Sequence, residues 1–165
     1  MRTAPMRSSS LFSRRRARAG FTLIEAMIVA ALIADLAVIA IPSFMRARKT
    51  TQNTRFCNEL RVAVNAFEMY AAENNKYPAE VGAAVVPAGM TVYLDGLAWT
   101  RPNSMGGQWD WDFKLDSTTA AIATVSTNDF DSIQMARVDT LIDNGVTATG
   151  QFRRRDDKRY SMIIE

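Results

Sequence analysis

Gly20-Phe21-Thr22-Leu23-Ile24-Glu25-Ala26-Met27-Ile28-Val29 opens an apolar stretch that runs on to Ile39-Ala40-Ile41-Pro42. Six arginines and no acid precede it: Arg2, Arg7, Arg14, Arg15, Arg16 and Arg18. Phe21 to Ile41 is 21 residues, and its only charges are Glu25 and Asp35. A helix of that length rises about 31 Å, close to one hydrocarbon core. The arrangement predicts a single membrane-spanning helix with the arginines on the cytoplasmic side and the rest of the chain outside. An acid in such a helix is expensive, so Glu25 and Asp35 each need a physical reason.

The chain has 165 residues, enough for one ordinary domain plus a membrane segment. Its pI near 9.3 and net charge of +3 suggest a polyanion partner at first sight. Without residues 1–20, however, 14 basic residues face 17 acidic ones, a net of −3. The basicity belongs to the leading segment, and no nucleic-acid partner is expected. Cys57 is the single cysteine, so no internal disulfide is possible. The absence of histidine excludes His-based catalysis, a Cys-His nucleophile and the common zinc ligand sets. No phosphate loop or nucleophile elbow is present. The expectation is a chain that is not an enzyme, with no cofactor and no metal.

Several readings fit a basic segment followed by an apolar one. A secretory signal has a core of about 7–15 residues with a small-residue cleavage site after it. Ser13-Arg14-Arg15-Arg16 faintly suggests a twin-arginine signal. A plain anchor explains the length but not Glu25. Arg18-Ala19-Gly20, then Phe21 to Val29 and on through Ile39-Ala40-Ile41-Pro42, resembles the N-terminal signature of the type IV pilin and type II secretion pseudopilin superfamily. The resemblance is at the level of motifs over roughly residues 18–78 and architectural beyond them.

That resemblance implies a leader, residues 1–20, removed by a prepilin peptidase that cuts between Gly20 and Phe21 and then N-methylates Phe21. It implies an inner-membrane protein with membrane lipid around its helix and its head in the periplasm or on a filament. Its partners would be other pilin or pseudopilin subunits and an inner-membrane assembly platform driven by cytoplasmic ATPases. Glu25 matches the family's acidic residue. Once the cut is made, the Phe21 amine is a cation, and the Glu25 carboxylate of a neighbouring subunit can meet it. The pair is less costly in an apolar bundle than either ion alone. The plainer alternative is that Glu25 pairs with its own Phe21 amine. Asp35 departs from the family pattern. It could pair with a basic group of an adjacent subunit such as Arg46, be protonated in lipid, or weaken assembly. The missing cysteine pair removes the C-terminal disulfide loop of many type IV pilins and favours a pseudopilin-like or minor subunit. The alternative function is a membrane-anchored extracytoplasmic binding module.

No glycine occurs between Phe21 and Val81, and Pro42 is the only proline between Phe21 and Pro78. One helix is expected from Phe21 to about Asn74, with a kink at Pro42. Residues 21–41 would be its membrane half and 42–74 its amphipathic half, with 75–165 forming the head. Phe56, Leu60, Val64, Phe67 and Tyr70 or Ala71 recur at three- and four-residue steps and mark a buried stripe. Residues 79–104 read as a connection with short helical pieces at Ala79–Val85 and Gly89–Leu94. After Gly106-Gly107, Trp109, Trp111, Phe113 and Leu115 alternate with Asp110, Asp112, Lys114 and Asp116, which predicts a strand with one buried and one wet face. A turn at Asp116-Ser117-Thr118 leads to a second strand over Ala120–Ser126. Asn128 or Asp129 is expected to cap a helix running to about Asp143, with Gly145 suited to its end. Gln151–Arg153 and Tyr160–Ile164 form a last hairpin. The fold class is α+β: a long N-terminal helix packed on a small antiparallel sheet, with an added helix in the C-terminal half.

The head offers few candidates for chemistry. Trp109, Trp111 and Tyr93 could form a stacking platform, but strand alternation puts them in the core. Asp110, Asp112 and Asp116 lack the wrapping geometry of a calcium loop. Arg153-Arg154-Arg155 reads as a solvated turn balanced by Asp156 and Asp157, and Cys57 as a small packed hydrophobe.

Overall fold

The computed structural model describes residues 20–114 and 120–164. Its elements in chain order are α1 (Leu23–Asn74), β1 (Gln108–Phe113), β2 (Ala120–Val125), α2 (Ser132–Ile142), β3 (Phe152–Asp156) and β4 (Arg159–Ile163). The chain divides into two units, Met1–Pro42 and Ser43–Glu165. In the first, every described residue except the half-buried Ala37 is exposed. The second contains the sheet, α2 and the rest of α1.

A run without glycine explains the length of α1. Its last residue is Asn74, and Asn75 adopts a left-handed φ of +53°, which closes the helix as asparagine can. The buried stripe lies where periodicity places it. Phe56, Leu60 and Phe67 are buried, while Val64 and Tyr70 pack half-buried beside them. Ala63 and Ala66 are also buried, and their small side chains let the sheet approach the helix closely.

The four strands form one antiparallel sheet in the order β1-β2-β4-β3. Trp109 lies opposite Thr124, which lies opposite Tyr160. The tryptophans of β1 meet the phenylalanines of α1. Phe67 stacks on Trp111 at 4.0 Å between centroids, and Phe56 stacks on Trp109 at 5.5 Å. Trp99 wedges against Phe67 and Trp109, and Phe152 closes the seam from β3. This is the expected α+β arrangement.

Four details differ from expectation. The connection between α1 and β1 contains turns, with no helix. Its backbone is drawn to the edge of β1, where Ala84 N–H donates to the Trp109 carbonyl at 2.7 Å and Val81 bridges Trp111. The indole N–H groups of Trp99 and Trp111 hold the Val85 and Pro78 carbonyls at 2.8 and 3.1 Å. Next, the cap of α2 is Asp131, not Asn128 or Asp129. Its Oδ1 accepts from the N–H groups of Ile133 and Gln134, and its Oδ2 accepts from Lys49 of α1 at 2.8 Å. A second bond, Gln134 Nε2 to Asn53 Oδ1 at 2.9 Å, holds α2 against α1.

Third, Arg153, Arg154 and Arg155 belong to strand β3, and the turn is only Asp157-Lys158. Those arginines lie on an edge strand whose outward N–H groups are already bonded. Phe152 N–H donates to the Asp143 carboxylate and Arg154 N–H to the Thr147 carbonyl. With β1 covered by the connection, both sheet edges are protected against pairing with other chains. Fourth, Asp110 and Asp112 are buried, so the supposed wet face of β1 is closed. Leu115 and the predicted turn at 116–118 lie outside the described residues.

Ala84 has a φ of +60°, a conformation that strains any residue with a Cβ. Ala84→Gly should relieve that strain by more than the added unfolded-state entropy costs. The expected net gain is about 0.5 kcal/mol, read by chemical denaturation of the full chain in detergent.

Candidate processing and assembly segment

Helix α1 begins at Leu23, two residues after Phe21, because Thr22 and Glu25 build its N-terminus. The Glu25 Oε2 atom accepts from the Thr22 backbone N–H at 2.8 Å and from the Thr22 hydroxyl at 2.7 Å. Glu25 N–H donates back to Thr22 Oγ1 at 3.3 Å. This is a reciprocal capping box, two free donors satisfied by one Thr-x-x-Glu pair. The box involves no atom of Gly20, so a cut before Phe21 would leave it intact. Glu25 Oε1 accepts no bond among the described residues. Gly20 and Phe21 are exposed next to it. Pro42 lies inside α1, where it removes one backbone donor. The stretch is the one helix among the described residues that is long and apolar enough to cross a membrane.

Elsewhere the predicted candidates become structure. Trp109 and Trp111 are buried in the core, and Tyr93 packs edge-on against Tyr70 with its hydroxyl on Glu73. Asp110 and Asp112 both bind one guanidinium, that of Arg159, with 2.7 Å from Arg159 to Asp110. Residues two apart on β1 point to one face, and Arg159 reaches them across Ala123, whose side chain is too small to obstruct it. Sequence reading missed Arg159, because its partners are 47 and 49 residues away. Asp116 lies outside the described residues. Cys57 is buried, and that burial pushes its thiol pKa up, away from the reactive range.

The model of the prokaryotic N-terminal methylation motif matches residues 15–41. Over 66 residues the chain is 44% identical to the type IV wide pilus major component PilA4 of Thermus thermophilus, covering 40% of this chain and 50% of that protein. It is 31% identical over 65 residues to the type II secretion system core protein G of Aeromonas hydrophila, covering 39% and 46%. The type IV major pilin protein PilA of Myxococcus xanthus is 38% identical over 72 residues, covering 44% and 31%. The N-terminus resembles those of type IV pilins and of the type II secretion core protein G. The chain spans about half the length of the first two of these relatives, and no solved structure matches it. In this pilin-like α+β chain, the residues that carry the resemblance are those around the capping box and the apolar helix.

Three carboxyls in the pilin-like head have displaced pKa values. Burial raises Asp110, and the nearby Asp112 adds to this against the pull of Arg159. Burial also raises Asp139, with the Asp143 carboxylate adding to it. The bond from Lys49 lowers Asp131, helped by the N–H groups it caps. A raised folded pKa means that Asp139 favours the fold fully below its unfolded pKa near 3.8 and loses that contribution as pH rises through the raised value. Asp139→Asn removes the charged form. Its unfolding midpoint should exceed the parent's at pH 7 and converge with it near pH 4 on chemical denaturation. Arg159→Leu strands two buried carboxylates and should cost about 3 kcal/mol at pH 7. That loss should shrink on acidification as Asp110, whose pKa burial raises, protonates.

Proposed function

We propose that this chain is a structural subunit, pilin-like or pseudopilin-like, of an envelope filament of the type IV pilus or type II secretion kind. The carrying observation is the conjunction at residues 15–41. An arginine-rich leader, the Gly20–Phe21 junction, a capped Glu25 and an apolar helix fall together where the methylation motif matches. In this reading residues 1–20 stay cytoplasmic until a prepilin peptidase cuts after Gly20 and N-methylates Phe21. Residues 21–41 hold the subunit in the inner membrane, and the head lies outside it. Helix α1 then packs with other pilin or pseudopilin subunits at an inner-membrane assembly platform, with Pro42 as the point of bending.

The capping box gives Glu25 a defined geometry for this role. One carboxylate oxygen is fixed by Thr22, and the other is left for the Phe21 amine of a neighbouring subunit. A subunit of this kind performs no catalysis and needs no cofactor. Motion comes from ATPases elsewhere in the machine.

Mass spectrometry of the chain isolated from its own membranes tests the reading. The expected N-terminus is a methylated Phe21, and Gly20→Val should abolish its formation. An intact leader, or a cut beyond Pro42, overturns the filament reading and favours the membrane-anchored binding module.

A further inference from the structure

Asp35 is the charge that this reading leaves unused. The residues one helical turn away on either side are Ala31, Leu32, Val38 and Ile39, none of which has a side-chain donor. Asp35 has no hydrogen bond or ion pair among the described residues. Its surroundings in the span are apolar and exposed, so water-free packing would leave the carboxylate without compensation. Between Gly20 and Pro42 the sequence has no lysine or arginine, so a second copy in the same register offers only another acid.

The nearest cations that follow the span are Arg46, Arg48 and Lys49. Lys49 is taken by Asp131 at 2.8 Å. The Arg46 guanidinium has no partner among the described residues. Asp35 and Arg46 are thus two unpaired opposite charges on one helix. They are eleven residues apart, too far for the i,i+3 or i,i+4 contacts a helix makes with itself.

We propose that Asp35 of one copy pairs with Arg46 of a second, parallel copy displaced along α1. This rests on the filament reading and adds a second polar contact to it. Helical side chains lean toward the N-terminus, so Arg46 reaches back toward the acid and shortens the displacement required. The displacement still exceeds the four residues that separate Glu25 from Phe21. The two contacts therefore engage different neighbours, and together they fix two axial offsets in the bundle. Each acid then has its own cation, and the core remains neutral.

The test uses the full chain in its own membranes, with Cys57→Ala as background. Single-cysteine chains Leu36→Cys and Ala47→Cys are co-expressed and oxidised. A disulfide-linked dimer between positions 36 and 47 is expected, and Asp35→Leu or Arg46→Leu should each lower its yield at least fivefold. The double change Asp35→Leu with Arg46→Leu should be no worse than either single one, and Asp35→Lys with Arg46→Glu should restore the yield to within about twofold. An unchanged yield in both single variants overturns the pairing, as does a missing dimer in chains that carry a methylated Phe21. A chain that is never cut after Gly20 overturns the filament reading and this inference with it. Restoration by Asp35→Asn would show a neutral hydrogen bond in place of the ion pair and also overturns it.

Discussion

The seam between Phe56 and Phe67 of α1 and Trp109 and Trp111 of β1 holds the second unit together. Four large stacked rings remove a large apolar surface from water. Alternation along β1 puts both tryptophans on one side, and helical periodicity puts both phenylalanines on one side of α1. Close contact further requires small residues on the helix between them, which Ala63 and Ala66 supply. Once the seam forms, the remaining strands follow by pairing, and Phe152 and Tyr160 extend the aromatic layer.

Putting the tryptophans inward forces Asp110 and Asp112 to the other face of β1. There they would repel each other in a poorly hydrated place. Arg159 resolves this by donating to both, and burial raises the pKa of Asp110. The same logic governs the sheet edges. β1 is covered by the backbone that follows α1, and β3 by the Asp143 carboxylate and the Thr147 carbonyl. Strand edges closed in this way leave the sheet no template for pairing with other chains.

The N-terminal unit follows the opposite rule. Its described side chains are exposed apart from the half-buried Ala37, and of its two acids one is bonded within the chain and the other is not, among the described residues. Glu25 is held by Thr22 in a capping box. Asp35 has no bond among the described residues.

The primary sequence already determined the long helix, its buried stripe, the tryptophan strand, the second helix and the N-terminal methylation motif. Each is a local pattern, a period or a fixed offset, and local patterns survive without knowledge of the fold. Tertiary structure decided the rest. Asp131 caps α2 in preference to Asn128 or Asp129 because only there does the cap also bind Lys49, 82 residues away in sequence. The connection before β1 forgoes helix because the edge of β1 offers its backbone better partners. Asp110 and Asp112 are buried because Arg159, far along the chain, lies across Ala123 on the same face. These outcomes depend on contacts between distant residues, and no window of sequence contains both partners.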